Sequence, residues 1–114
     1  MSDCLFCKVV NREIPASIVY EDDRVLAFRD INPQAPTHLL VVPKQHIDSL
    51  NDLTGEHDAI VGELVRRAAA IAKTLGISAG GFRTVFNTNR DAGQTVFHIH
   101  LHLLGGRPMH WPPG

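Results

Sequence analysis

The chain has 114 residues, enough for one domain with one core and too few for two. With 44% hydrophobic and 20% charged residues it has the composition of an ordinary globular domain, and a formal net charge of -1 excludes the basic footprint of a general nucleic-acid binder. No run approaches the roughly 18 apolar residues that span a bilayer, and "MSDCLFCKVV" lacks the basic segment and long apolar stretch of a secretory leader. The expectation is one soluble, cytoplasmic domain over residues 1–114, with no nucleic-acid or membrane partner. In that setting its two cysteines read as thiols, metal ligands or a redox pair rather than a structural disulfide.

"CLFCKVVNRE" (4–13) predicts a short helix with Phe6, Val9 and Val10 on its inner face. "SIVYEDD" (17–23) and "RVLAFRDI" (24–31) predict two strands joined by a hairpin at Glu21–Arg24. The two prolines of "NPQAP" (32–36) demand a loop, and "THLLVVP" (37–43) predicts a central strand ended by Pro43. Between Asp52 and Gly76 the period changes. Ile60, Val61, Leu64, Val65, Ala68, Ile71, Ala72 and Leu75 recur at three- and four-residue steps, which predicts a long helix with Thr54 as N-cap and Gly76 as its stop. The alanines at 68–70 widen the apolar arc toward a second surface. "GFRTVFN" (81–87) and "TVFHIHLHLL" (95–104) complete a five-stranded set around the turn-rich "TNRDAGQ", an α+β domain.

The last strand carries His98, His100 and His102. Alternation puts them on one face, roughly 7 Å apart, with Ile99, Leu101 and Leu103 buried on the other. Imidazoles that close cannot all be protonated. Three readings fit: a polar surface stripe, a metal site, or catalysis with an imidazole nucleophile. Under the third, His100 is best placed to attack phosphorus, because it has a flanking imidazole on either side to donate a proton and to orient it.

Gly93 frees the backbone just before this strand, so the N–H groups of 94 and 95, with the Gln94 amide and the Thr95 hydroxyl, form a candidate phosphate cradle; a plain turn explains the same residues. Asp30, flanked by Phe28 and Ile31, suits a ribose diol beside a sandwiched base, and equally suits a turn cap. His38 matters only if the fold brings it near His100. Cys4 and Cys7 fit a redox dithiol, two inert thiols or half of a tetrahedral zinc site. The spacing does not choose the two further ligands.

"HIHLHLL" at 98–104 resembles the histidine-triad signature. With "EIPA" (13–16), "EDDRVLAFRDINPQAPTH" (21–38), "GQTVFHIHLHLLGGR" (93–107) and the terminal "HWPPG", the resemblance covers essentially the whole chain and points to the Hint branch, the purine nucleoside phosphoramidases. It implies an α+β fold with a five-stranded antiparallel sheet, one long and one short helix, and a homodimer that joins two sheets into one of ten strands. It implies hydrolysis of the P–N or acyl-phosphate bond of adenosine or purine nucleoside 5′-phosphoramidates through a nucleotidyl-histidine. Catalysis would rest on His100 as nucleophile, with His102, His38 and His98; the nucleotide would be held by Phe28, Asp30, Ile31, Asn87, Gly93, Gln94 and Thr95, and by Trp111 reaching the partner's site. Members with the cysteine pair bind a structural zinc, which implies Cys4, Cys7, His46 and His98 as ligands here. Thr95 stands where serine is common in this branch, and Arg90 lies in a loop that the animal enzymes fill with small and acidic residues. The alternatives are a non-catalytic nucleotide-binding scaffold, a nucleotidyl transferase or a dinucleoside polyphosphate hydrolase.

Overall fold

A computed structural model describes residues 3–114. Seven main elements run in the order α1 (Leu5–Val10), β1 (Ile18–Glu21), β2 (Val25–Arg29), β3 (Thr37–Pro43), α2 (Asp58–Thr74), β4 (Phe82–Val85) and β5 (Leu101–Gly105). The strands form one sheet in the order β1-β2-β3-β5-β4, and every neighbouring pair is antiparallel. This is the α+β architecture expected from the sequence. Among the described residues, no helix is long and apolar enough to cross a membrane.

Strand alternation explains why both faces of the sheet are covered. Val25 and Ala27 of β2, Leu39 and Val41 of β3, and Leu101 and Leu103 of β5 face α2. Leu26, Phe28, Leu40 and Val42 face the opposite way, onto Phe6 and Val9 of α1. The helix α2 presents Ile60, Leu64, Ala68, Ile71 and Ala72 to the first core, a stripe at helical spacing. Val65, expected on that stripe, is instead half exposed, as are Ala69 and Ala70 exposed beside it.

Several boundaries differ from the sequence reading. The first helix and first two strands are shorter than expected, and β1 carries a register shift between Ile18 and Tyr20. Asp22 closes the β1–β2 hairpin by accepting the N–H groups of Arg24 and Val25 at 2.8 Å each. The helix expected to open after an N-cap at Thr54 opens only at Asp58. Two single 3₁₀ turns precede it, and Thr54 caps the second of them rather than α2 itself. Gly76 does end α2, at φ +77°, where a side chain would be strained.

The difference at β5 matters most. The strand expected over 95–104 pairs only from Leu101, so His98 and His100 lie in an irregular approach to β5. The reason lies in the hydrogen bonds: the carbonyl of His98 accepts Nδ1–H of His100 at 2.8 Å, and the N–H of Ile99 is given to the carbonyl of Ile47 at 2.8 Å. These groups are therefore not engaged in a regular ladder. The alternation of faces survives, since Ile99 joins the α2 core while His98 and His100 pack against Phe6 of α1.

Candidate functional site

β3 and β5 bring the polar groups together by register. Leu40 lies opposite His102 and His38 opposite Leu104, so His38 and His102 are diagonal neighbours on the α1 face. Nε2 of His38 lies 2.9 Å from Nδ1 of His102. The backbone N–H of Gln34 donates to Nδ1 of His38 at 3.0 Å, which assigns the His38 proton to Nε2 and makes His38 the donor to His102. His102 then holds its own proton on Nε2. His100 has the opposite tautomer, because its Nδ1 must carry the hydrogen given to the His98 carbonyl. Its Nε2 is left with an unshared pair. The rings of His100 and His102 are 5.0 Å apart.

All these imidazoles are held neutral. Burial lowers the pKa of His100, with partial relief from its bond to the His98 carbonyl and from Asp30. Burial, then repulsion from His100 and His38, lowers His102 to about 4. Burial also lowers His38, with Asp30 opposing it. The structure thus offers one ring nitrogen as nucleophile and one ring N–H as donor side by side, both uncharged at neutral pH.

His100 and His102 line a cleft of about 350 Å³. Asp30 and Thr95 also line it, and Leu5, Phe6, Val9, Phe28, Ile31 and Leu40 give it an apolar floor and walls. Asp30 has a double position: Oδ1 accepts the N–H of Asn32 at 2.8 Å, as a turn cap, while Oδ2 lies 3.4 Å from Nε2 of His38. The turn-cap reading of Asp30 is thus observed, and its second oxygen stays on the cleft side.

The loop before β5 differs from the expected cradle. Gly93 does use the freedom expected of it, with a left-handed backbone at φ +83°. Gln94, however, is buried, and its side chain is spent inside the protein. Its amide donates to the carbonyls of Asp48 at 2.8 Å and Val96 at 3.1 Å, its Oε1 accepts the N–H of Asn89 at 2.8 Å, and its own N–H goes to the carbonyl of Asn89 at 3.1 Å. Gln94 is a loop brace, not a group aimed into the cleft. Asn87, Gly93 and Trp111 likewise stand outside the cleft wall, with Trp111 82% exposed. The α1 side chains that wall the cleft were the residues missed. The sequence placed Phe6 and Val9 on an inner face, and only the packing of α1 against β2 and β3 shows that this face borders the site.

Behind His100 lies a second cluster. Nδ1 of His98 is 3.4 Å from Sγ of Cys4 and 3.5 Å from Sγ of Cys7, and Nδ1 of His46 is 3.2 Å from Sγ of Cys7. Both imidazoles are oriented from behind: Nε2–H of His98 donates to the Pro43 carbonyl at 2.7 Å, and Nε2 of His46 pairs with Asp48 at 2.5 Å. Four ligand atoms lie within 4.8 Å of one another, a two-sulfur, two-nitrogen set suited to a tetrahedral divalent cation.

The HIT domain family model matches residues 11–109. A purine nucleoside phosphoramidase of Escherichia coli is 52% identical over 107 residues, 94% of this chain and 90% of that protein. An uncharacterized HIT-like protein of Synechococcus elongatus is 56% identical over 112 residues, 98% of this chain and 97% of that protein. Among solved structures, a HIT family hydrolase from Legionella pneumophila superposes with a TM-score of 0.97 at 54% identity, covering 98% of this chain and 100% of that one. A histidine triad protein from Clostridium difficile gives 0.93 at 49% identity over 96% of each chain.

Proposed function

Since the chain belongs to the HIT domain family, we propose that it is a hydrolase of purine nucleoside 5′-phosphoramidates, working through a nucleotidyl-histidine. One observation carries the reading: His100 presents an uncharged Nε2 with an unshared pair beside the Nε2–H side of His102, in the wall of a largely apolar cleft. The phosphoramidase activity named for the E. coli relative supports the substrate class.

In this reading the base lies between Phe28 and Ile31, and the ribose hydroxyls meet Asp30. The phosphate reaches Thr95, His100 and His102. An anionic phosphate beside the His38–His102 pair favours its protonation, so the pair takes up one proton with the substrate. Nε2 of His100 attacks phosphorus, the P–N bond breaks, and that proton goes to the departing amine nitrogen. Water then attacks the phosphohistidine, returns a proton to the pair, and the nucleoside monophosphate leaves. Splitting one displacement into two is what a covalent intermediate achieves, and donors fixed in a dry cleft stabilise the transferring phosphoryl group.

Two further assignments belong to the same proposal. Cys4, Cys7, His46 and His98 would hold a zinc ion; their donor types, convergence and second hydrogen bonds fit it. Zinc there supplies a structural cross-link, while the chemistry remains with His100. The protein acts as a homodimer in which β4, the last strand of the sheet, pairs with its copy, and Trp111 reaches the partner's cleft.

The test is incubation with adenosine 5′-phosphoramidate and intact-mass detection after a rapid acid-free quench. The expected result is AMP release and a protein adduct of one nucleoside monophosphate. His100→Asn should keep AMP binding and lose both adduct and turnover. Undiminished turnover in that variant excludes the mechanism.

A further inference from the structure

The cysteine–histidine cluster and the nucleophile share a residue. His98 offers Nδ1 to Cys4 and Cys7, and its own carbonyl accepts Nδ1–H of His100. The side chain therefore belongs to one centre and the main chain to the other. We propose that His98 is a positioning residue for the reaction: occupancy of the Cys4–Cys7–His46–His98 centre fixes the His98 main chain, and with it the ring of His100 and the Phe6 wall of the cleft. This rests on the nucleotide and zinc assignments above and goes beyond them, because a merely structural zinc predicts no link to nucleotide binding.

Two connections carry the link. The first is the hydrogen bond from His100 to His98. It selects the His100 tautomer whose Nε2 has the unshared pair, and it needs the His98 carbonyl in place at 2.8 Å. No strand ladder holds that carbonyl, since β5 begins only at Leu101. The peptide that carries it is anchored on its other side, where the Ile99 N–H goes to the Ile47 carbonyl at 2.8 Å, and the His98 side chain adds the second anchor, through Pro43 on one nitrogen and the two sulfurs on the other.

The second connection is α1. A helix of six residues has no stability of its own. Cys4 is its N-cap, with Sγ accepting the N–H of Cys7 at 3.3 Å, so the residues that face His98 are the first turn of the helix. Phe6 sits between them. Its ring meets His98 at 6.1 Å, His100 at 5.0 Å and Phe28 at 5.4 Å, each edge to face. Tying both sulfurs to His98 and His46 clamps α1 onto the sheet, and Phe6 passes that restraint to the cleft wall. Without the clamp, α1 is held by Phe6, Val9 and their neighbours alone.

The experiment compares zinc-loaded protein with protein stripped by a chelator under reducing conditions. It measures zinc content, AMP affinity by calorimetry, and the His100 ring tautomer by nitrogen-15 NMR. Stripping should weaken AMP binding about tenfold, the low end of what loss of an orienting contact costs, and replace the single Nδ1–H form of His100 by a mixture. Added zinc should restore both. His46→Ala removes an exposed ligand that does not touch His100. In it the loss should appear at limiting zinc and disappear at saturating zinc. Phe6→Leu at full zinc should keep the tautomer and weaken AMP binding. AMP affinity within twofold in loaded and stripped protein, with an unchanged tautomer, overturns the inference. So does global unfolding of both proteins on zinc removal, which would reduce the centre to a scaffold. Zinc-dependent AMP binding and tautomer without phosphoramidate turnover would instead overturn the proposed reaction and leave standing the coupling of this centre, through His98, to the nucleotide cleft.

Discussion

His38 donates Nε2–H to Nδ1 of His102 across 2.9 Å, and the backbone N–H of Gln34 fixes the direction of that bond by occupying the other nitrogen of His38. His38 is buried and does not line the cleft. In the proposed reaction its contribution runs through the tautomer it imposes on His102. His38→Ala should lower kcat by about 10- to 100-fold, the usual cost of removing an orienting partner. AMP affinity should change far less. His38→Gln, which can still donate near that position, should recover part of the loss. Steady-state kinetics beside AMP calorimetry checks the split; equal losses in both would assign His38 a general packing role.

The depressed imidazoles set a pH dependence with a definite sign. Burial lowers His100, His102 and His38 below the ordinary 6.5, and His102 reaches about 4. The unfolded chain therefore binds more protons than the folded one between about 4 and 6.5. Stability should be full above 6.5 and decline as pH falls through that window. Asp22, held at about 2 by the Tyr20 hydroxyl and by backbone N–H groups, adds its own loss only below its usual 3.8. Urea unfolding at pH 7.5, 6 and 5 should give successively lower midpoints. A rise on acidification would contradict the neutral assignment. kcat/KM should hold level to below pH 6.5 and fall as His100 takes a proton.

Gln94 makes a structural prediction in place of the binding role expected from the sequence. Its side chain makes three hydrogen bonds, to the carbonyls of Asp48 and Val96 and from the N–H of Asn89. Truncation to alanine leaves buried partners unsatisfied. Gln94→Ala should cost about 1–3 kcal/mol of stability and raise hydrogen exchange at residues 89–96. Unchanged urea stability with weakened AMP binding would restore the direct role.

Leu64 tests the larger of the two cores. It is fully buried where α2 meets the sheet. Leu64→Ala should destabilise by about 2–5 kcal/mol, while the folded fraction keeps its AMP affinity, because the cleft lies on the other face of the sheet. Chemical denaturation and calorimetry at low temperature measure the two quantities.

The sequence by itself determined the parts that follow from local periodicity. The two-residue alternation of "HIHLHLL" put the histidines on the face opposite Ile99, Leu101 and Leu103, and the three- and four-residue steps from Ile60 to Ala72 fixed the buried stripe of α2. Spacing also marked Cys4 with Cys7, Gly76 as the stop of α2 and Gly93 as a point of backbone freedom. Only the tertiary structure decided which distant residues meet. Cys4 reaches His98 across 94 positions, and His38 reaches His102 across 64, because β3 pairs with β5 in one register and not another. It also decided that β5 starts late, that Gln94 turns inward, and that His100 and His102 carry their protons on opposite nitrogens. Those outcomes depend on which carbonyl or N–H stands within 3 Å of a side chain, and chain-local patterning carries no information about a partner that another strand supplies.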